Sequence, residues 1–154
     1  MTDPIQLALL RARSEAAIAA LRKCNDLTLR RGIQLTEGQI AALVAARSDA
    51  LIQTGRIELE DTVLPKLIYA FFDSPFIQRD EFALTLAALQ ELFYTFKNES
   101  EDSLTDDELI EALQAIFNGK AQGLLEYLEN LTVADLYRAL RFTPEDDDED
   151  DWVD

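Results

Sequence analysis

The feature that most constrains the fold is a three-and-four spacing of large apolar side chains, repeated along most of the chain. Over residues 79–99 the apolar positions follow one another at steps of 4, 3, 4 and 3: Phe82, Leu86, Leu89, Phe93 and Phe96. Side chains at these steps lie on one face of an α-helix. Residues 79–99 are therefore predicted to form the longest helix and to occupy the centre of the core.

Helix start and stop signals divide the rest of the chain. Thr36 with Gln39, and Thr105 with Glu108, fit the capping box, in which each side chain bonds the other residue's backbone N–H. Helices are predicted over about 4–30, 36–54, 62–73, 105–118 and 120–130, and from Thr132 onward, with a short extended connector at 56–60. The inward side chains of the 120–130 helix are predicted to be Leu124, Leu128 and Leu131.

Short loops between many modest helices predict an all-α fold, a single compact bundle or orthogonal array of about six to eight helices. Hydrophobic residues make up 48% of the chain and only 5 glycines occur, which suits a helical globular domain. We expect a helical domain over 1–142 and an acidic disordered tail over 143–154, where low hydrophobicity opposes folding.

The charge distribution limits the kinds of partner that the protein can bind. The net charge is −16, and residues 143–154 alone carry eight acids and no base. An acidic body is a poor match for nucleic-acid phosphates, although residues 1–35 hold six bases against three acids and could make a small basic face. Apolar stretches fall short of the ~18 residues that span a bilayer. We expect a cytoplasmic protein that binds neither nucleic acid nor membrane.

The residues that carry most enzyme chemistry are missing. The sequence has no histidine, which removes the commonest general base and metal ligand, and no glycine-rich phosphate loop. Cys24 lies in an apolar stripe, so a buried, inert thiol is expected. Carboxylate chemistry through Glu91, Glu111 and Glu126 stays open, but each is predicted to face water. We expect no catalytic residue, no cofactor, no metal site and no enzyme activity.

Residues 98–109 invite comparison with a calcium-binding loop. Asn98, Ser100 and Asp102 would supply oxygen ligands at loop positions 1, 3 and 5. Ser103 then stands where glycine is needed, and Leu109 where a bidentate glutamate is needed. The acids after Thr105 suit the positive end of a helix dipole. A helix cap is therefore predicted, with a weak divalent site as the alternative.

Several sequence blocks in the middle of the chain resemble a family of small bacterial proteins known only as a domain of unknown function. The resemblance covers about residues 21–131, through LRKCND, ALIQTGRIEL, LIYAFFDSPFI, LFYTFKNES, LTDDELIEAL and QGLLEYL. It implies a bacterial, intracellular, helical protein and supplies no activity, ligand or catalytic residue.

The polar parts of these blocks are the candidates for a shared interaction surface: Asp73, Ser74 and Pro75, and Lys97, Asn98 and Glu99. Purely local roles at helix ends are the alternative for each of them. Phe76 is the aromatic residue expected to be exposed. Trp152 could dock the acidic tail on a basic partner.

These observations favour a non-catalytic helical protein-interaction protein, an adaptor or accessory subunit with an unidentified protein partner. The alternative is a small-molecule or divalent-cation binding domain with a pocket beside the helix over 79–99. The oligomeric state stays open.

Overall fold

A computed structural model describes the backbone of residues 4–56 and 63–141, and the side chains of residues 15–56 and 63–140. Within those ranges the chain forms seven α-helices: α1 (Pro4–Thr28), α2 (Glu37–Thr54), α3 (Val63–Phe71), α4 (Phe82–Glu99), α5 (Asp106–Asn118), α6 (Leu125–Glu129) and α7 (Val133–Arg141). The all-α prediction is confirmed. Most of the predicted connector over 56–60 and the acidic segment 143–154 with Trp152 lie outside the described residues.

The helix ends follow the predicted capping chemistry. Both capping boxes are formed, with Thr36 accepting from the N–H of Gln39 and Thr105 accepting from the N–H of Glu108. At the other end of α2, Gly55 adopts φ 69° and its N–H bonds the carbonyl of Ile52. Such a left-handed exit favours glycine, which has no Cβ to clash with the backbone.

The prediction that residues 79–99 form the longest helix is wrong. α1 has 25 residues and α4 has 18. Residues Arg79–Glu81 form a separate 3-10 turn ahead of α4, and Gln78 before them is extended. In α1, by contrast, no glycine or proline follows Pro4 before Gly32, so nothing in the sequence ends the helix early.

The central position predicted for α4 is confirmed. α4 packs against α2, α3, α5 and α6. Its predicted stripe is buried, and Phe93 meets Tyr94 edge to face at 5.1 Å between ring centroids.

α2 and α4 lie side by side and run in the same direction. Gln90 Nε2 donates to the carbonyl of Leu43, and Asn98 Nδ2 donates to the carbonyl of Thr54 at 2.8 Å. Residue numbers rise together along both helices, which shows the shared direction.

α3 and α5 form a second parallel pair. Lys66 Nζ lies 2.8 Å from a carboxylate oxygen of Asp107, and Gln114 Nε2 donates to the carbonyl of Ala70 at 2.7 Å. α7 packs on α5, where Ser103 before α5 contacts the hydroxyl of Tyr137. The C-terminal ends of α3 and α5 therefore meet at one end of the molecule, next to α6.

None of the helices in the described ranges combines the length and the apolar content that crossing a bilayer requires.

Candidate functional site

The turn after α3 is tied to the end of α5 by Ser74. Its buried hydroxyl donates to Asn118 Oδ1 at 2.6 Å and accepts from the N–H of Phe76 at 3.2 Å. Asp73 and Pro75 on either side of Ser74 are exposed. The local role predicted for Ser74 as an alternative is therefore present, and its effect is to fix where Phe76 leaves the turn.

Phe76 sits in a notch that only glycine can form. Gly123 has φ 82°, and a Cβ added there would lie 2.5 Å from Cβ of Phe76. The Phe76 side chain packs on this bare backbone while 41% of the residue stays exposed. Phe76 is exposed as predicted, but Tyr69 on α3, at 51%, is more exposed.

Two further apolar side chains flank this notch. Leu124, the residue after Gly123, is 62% exposed, and Tyr127, one turn later, is 40% exposed. We call Phe76, Leu124 and Tyr127 the apolar rim. Neither Leu124 nor Tyr127 was predicted from the sequence to belong to an interaction surface.

The inward position predicted for Leu124 is wrong. The prediction treats it as the helical partner of Leu128, but α6 begins only at Leu125. Leu124 is the extended cap residue, with φ −85° and ψ 114°, and it follows two residues of positive φ, Gln122 and Gly123. The short loop between Gly119 and Gly123 was the signal that the periodicity ends there.

A cleft of about 560 Å³ opens beside the rim, between α5, α6 and α7. We call it the α5–α7 cleft; its lining residues are Ala115, Ile116, Gly119, Lys120, Tyr127, Asn130, Leu131, Asp135, Arg138 and Ala139. Tyr127 belongs to both features and joins the rim to the cleft. The volume falls in the range of roughly 300–1,000 Å³ that is usual for ligand sites.

The cleft carries more positive than negative charge. Lys120 and Arg138 supply two cations, and Asp135 supplies one carboxylate. The Asp135 carboxylate accepts from the backbone N–H of Thr132 at 2.8 Å and lies 3.2 Å from Arg138. The bonds from Thr132, with smaller contributions from Arg138 and Lys120, lower the pKa of Asp135 from its ordinary value. Asp135 is thus kept ionised, and it is engaged in capping α7.

The second predicted group, Lys97, Asn98 and Glu99, lies in the last turn of α4. Lys97 is only 8% exposed; its Nζ donates to the carbonyl of Leu104 at 2.6 Å and lies 2.8 Å from Asp106. Glu99 is exposed. The amine of Lys97 is therefore engaged inside the fold.

Asn98, the next residue along α4, makes a separate contact with Arg56, just after α2. Its Oδ1 accepts from Arg56 at 2.7 Å, and Arg56 also contacts Asp102 at 2.6 Å. The bond from Arg56 lowers the pKa of Asp102. The carboxylates of Asp102 and Asp106 are thus held by the chain's own cations, and the predicted cap at Thr105 is confirmed. Within the side chains the structure describes, no three metal-ligating residues cluster.

The two predicted groups do not form one surface. Lys97 contacts Asp106 at the beginning of α5, whereas Ser74 contacts Asn118 at its end. Twelve residues separate these contacts, which is about 18 Å along a helix axis at 1.5 Å per residue. The apolar rim and the contacts of Lys97 with Leu104 and Asp106 are therefore distinct features at opposite ends of α5.

Most of the chain is similar to a known protein family. Residues 20–146 match the model of DUF6323, a family of unknown function. The chain belongs to the DUF6323 family. The match confirms the resemblance predicted for residues 21–131 and extends into the acidic segment. No curated protein and no protein of solved structure matches this chain.

The DUF6323 chain also has a smaller depression beside α4, where a pocket was predicted. It measures about 250 Å³ and is lined by small side chains of α2 and α4 with Asp49, Gln53 and Glu91 at its edges. The larger α5–α7 cleft lies elsewhere, beside the C-terminal end of α5. Glu91, Glu111 and Glu126 are all exposed, as predicted.

Proposed function

We propose that this DUF6323 protein is a non-catalytic interaction protein whose docking surface is the apolar rim. The partner is a protein that presents apolar side chains to Phe76, Leu124 and Tyr127. The observation that carries the proposal is that a dedicated turn holds Phe76 partly exposed: Ser74 fixes the turn and Gly123 leaves the space.

An exposed apolar side chain alone would carry little weight, because soluble proteins show many of them. The rim differs because Phe76 packs on Gly123, the residue directly before Leu124, and Ser74 fixes the turn that carries Phe76. Aromatic residues held rigidly lose little conformational entropy on binding, which makes them typical centres of protein interfaces. Phe76 has this character, and the cleft beside Tyr127 adds depth to the surface.

The test compares two matched double variants. Phe76→Ser with Leu124→Ser removes two rim side chains, and Ile52→Ser with Leu84→Ser removes two side chains that are 77% and 75% exposed on α2 and α4. Each variant is immobilised and exposed to an extract of cells that make the protein naturally, and bound proteins are quantified by mass spectrometry.

We expect a specific partner to be lost from the rim variant and retained by the Ile52/Leu84 variant. A loss of 2–3 kcal/mol of binding, usual for a central interface residue, lowers capture about 30- to 150-fold. Identical partner sets on the wild-type protein and the rim variant would refute the proposal.

A second function is favoured by the size of the α5–α7 cleft: binding of a small molecule that combines an apolar body with an anionic group. A ligand that binds only the folded state raises the melting temperature. Melting curves with common metabolites that combine an apolar body with an anionic group test this function. A shift that is abolished by Ala115→Leu, which fills the cleft, would support it, whereas a shift unaffected by that change would contradict it.

A further inference from the structure

We propose that the α5–α7 cleft is the docking site of the chain's own acidic segment, residues 148–154. In this arrangement the indole of Trp152 lies between the apolar walls, and the flanking carboxylates lie near Lys120 and Arg138. The proposal concerns the cleft and does not depend on a partner at the apolar rim.

The first support is the chemistry of the cleft. Its walls are mostly apolar, from Ala115, Ile116, Leu131 and Ala139, and its cations stand among them. Lys120 makes no ion pair with a carboxylate in the described part of the chain. An occupant that combines an apolar body with negative charge is complementary to such a cleft.

The second support is the composition of the segment. Residues 148–154 read DEDDWVD, so the chain's single tryptophan is surrounded by acids. Tryptophan offers more apolar area than any other side chain, together with an N–H that needs a partner when buried. Asn130 and Asp135 in the cleft provide oxygen acceptors for it.

The third support is reach. α7 ends at Arg141, and Trp152 follows eleven residues later. Eleven residues span up to about 36 Å when extended. The cleft is lined by Asp135, Arg138 and Ala139 of α7 itself, within about 9 Å of Arg141 along the helix axis. The segment is therefore long enough to turn back into the cleft of the same molecule.

Tethering makes even weak docking effective. A short connection between two groups sets a local concentration on the order of 1 mM, so a contact with a dissociation constant of about 0.1 mM would be about 90% occupied. Repulsion from Asp135 is limited because its carboxylate already pairs with Thr132 and Arg138. The remaining charge of the cleft favours an acidic segment.

The experiment measures the fluorescence of Trp152, which reports on the segment alone because the chain has one tryptophan. Quenching by acrylamide is compared between the full chain and a synthetic peptide of residues 143–154. Acrylamide is neutral, so repulsion between the quencher and the carboxylates does not affect the result. We expect quenching in the full chain to be about tenfold weaker, in line with about 90% occupancy.

Three variants of the full chain locate the contact. Lys120→Gln with Arg138→Gln removes the cations of the cleft, and Ala115→Leu fills it without changing the charge. Both should bring quenching close to that of the peptide. Arg30→Gln with Arg31→Gln is the charge-matched control at another exposed basic site and should leave quenching unchanged. Circular dichroism checks that each variant keeps its helix content.

The outcomes are decisive. Quenching of the wild-type chain equal to that of the peptide would overturn the proposal, and so would a change confined to the Arg30/Arg31 variant. Protection that disappears on dilution would assign the cleft to the segment of a second copy and overturn docking within one molecule.

Discussion

At Gly123 the backbone has φ 82°, and the space that a Cβ would need is taken by Phe76. Gly123→Ala would therefore combine an unfavourable backbone angle with a steric clash. We expect a loss of about 1–3 kcal/mol of folding free energy, measured by urea unfolding.

The control for this variant is Gly38→Ala in the first turn of α2. There the nearest atom to an added Cβ is 4.0 Å away, and the backbone angle suits any residue. Gly38→Ala should leave stability unchanged or raise it by up to about 1 kcal/mol. Equal losses at both positions would mean that Gly123 does not shape the turn.

Replacing Lys97 tests whether this residue, predicted to belong to an interaction surface, instead stabilises the fold. Lys97→Met would remove the donor to the Leu104 carbonyl and the partner of Asp106. Leaving buried polar groups without partners should cost about 1–3 kcal/mol. Lys66→Met, which breaks the exposed pair with Asp107, should cost less than about 1 kcal/mol. Similar losses from the two variants would contradict a structural role specific to Lys97.

Among the helices, α7 owes its beginning to a reciprocal pair between Thr132 and Asp135. Because the bonds from Thr132 lower the pKa of Asp135, the folded state favours the ionised carboxylate. The stability that this pair contributes is present above the ordinary aspartate pKa and is lost as the pH falls through the lowered value.

The variant Thr132→Ala removes the hydroxyl but keeps the backbone N–H. We expect the pKa of Asp135, measured by NMR titration of its carboxyl carbon, to rise toward the ordinary value. Thr95→Ala, whose hydroxyl bonds the carbonyl of Glu91, serves as the control and should not move it. An unchanged titration of Asp135 in Thr132→Ala would show that the hydroxyl has no part in the cap.

The sequence was sufficient to predict those features of the helices that depend on residues close together in the chain. The capping boxes at Thr36 and Thr105, the exit at Gly55 and the stripe of α4 all depend on contacts a few residues apart, and they were predicted. The cleft depends on how α5, α6 and α7 pack, so no local pattern reports it. Leu124 was misplaced because the helical period was continued through the loop between Gly119 and Gly123, where the positive φ of Gln122 and Gly123 interrupts the helix.

The whole molecule is organised around α4, which buries eight residues in contact with four other helices, whereas the five-residue α6 buries one. We expect amide hydrogens of α4 to exchange only through global unfolding and those of α6 through local opening. Hydrogen exchange followed by mass spectrometry measures both. Exchange in α4 as fast as in α6 would contradict this view of the core.

Site-specific photo-crosslinking can show whether the apolar rim is the surface to which the partner protein binds. A photoreactive amino acid replaces Leu124 in one variant and Leu84, on the exposed face of α4, in the other. In cells that make the protein naturally, illumination should join position 124 to a discrete partner protein and leave position 84 without that product. The same products at both positions, or none at 124, would contradict binding at the rim.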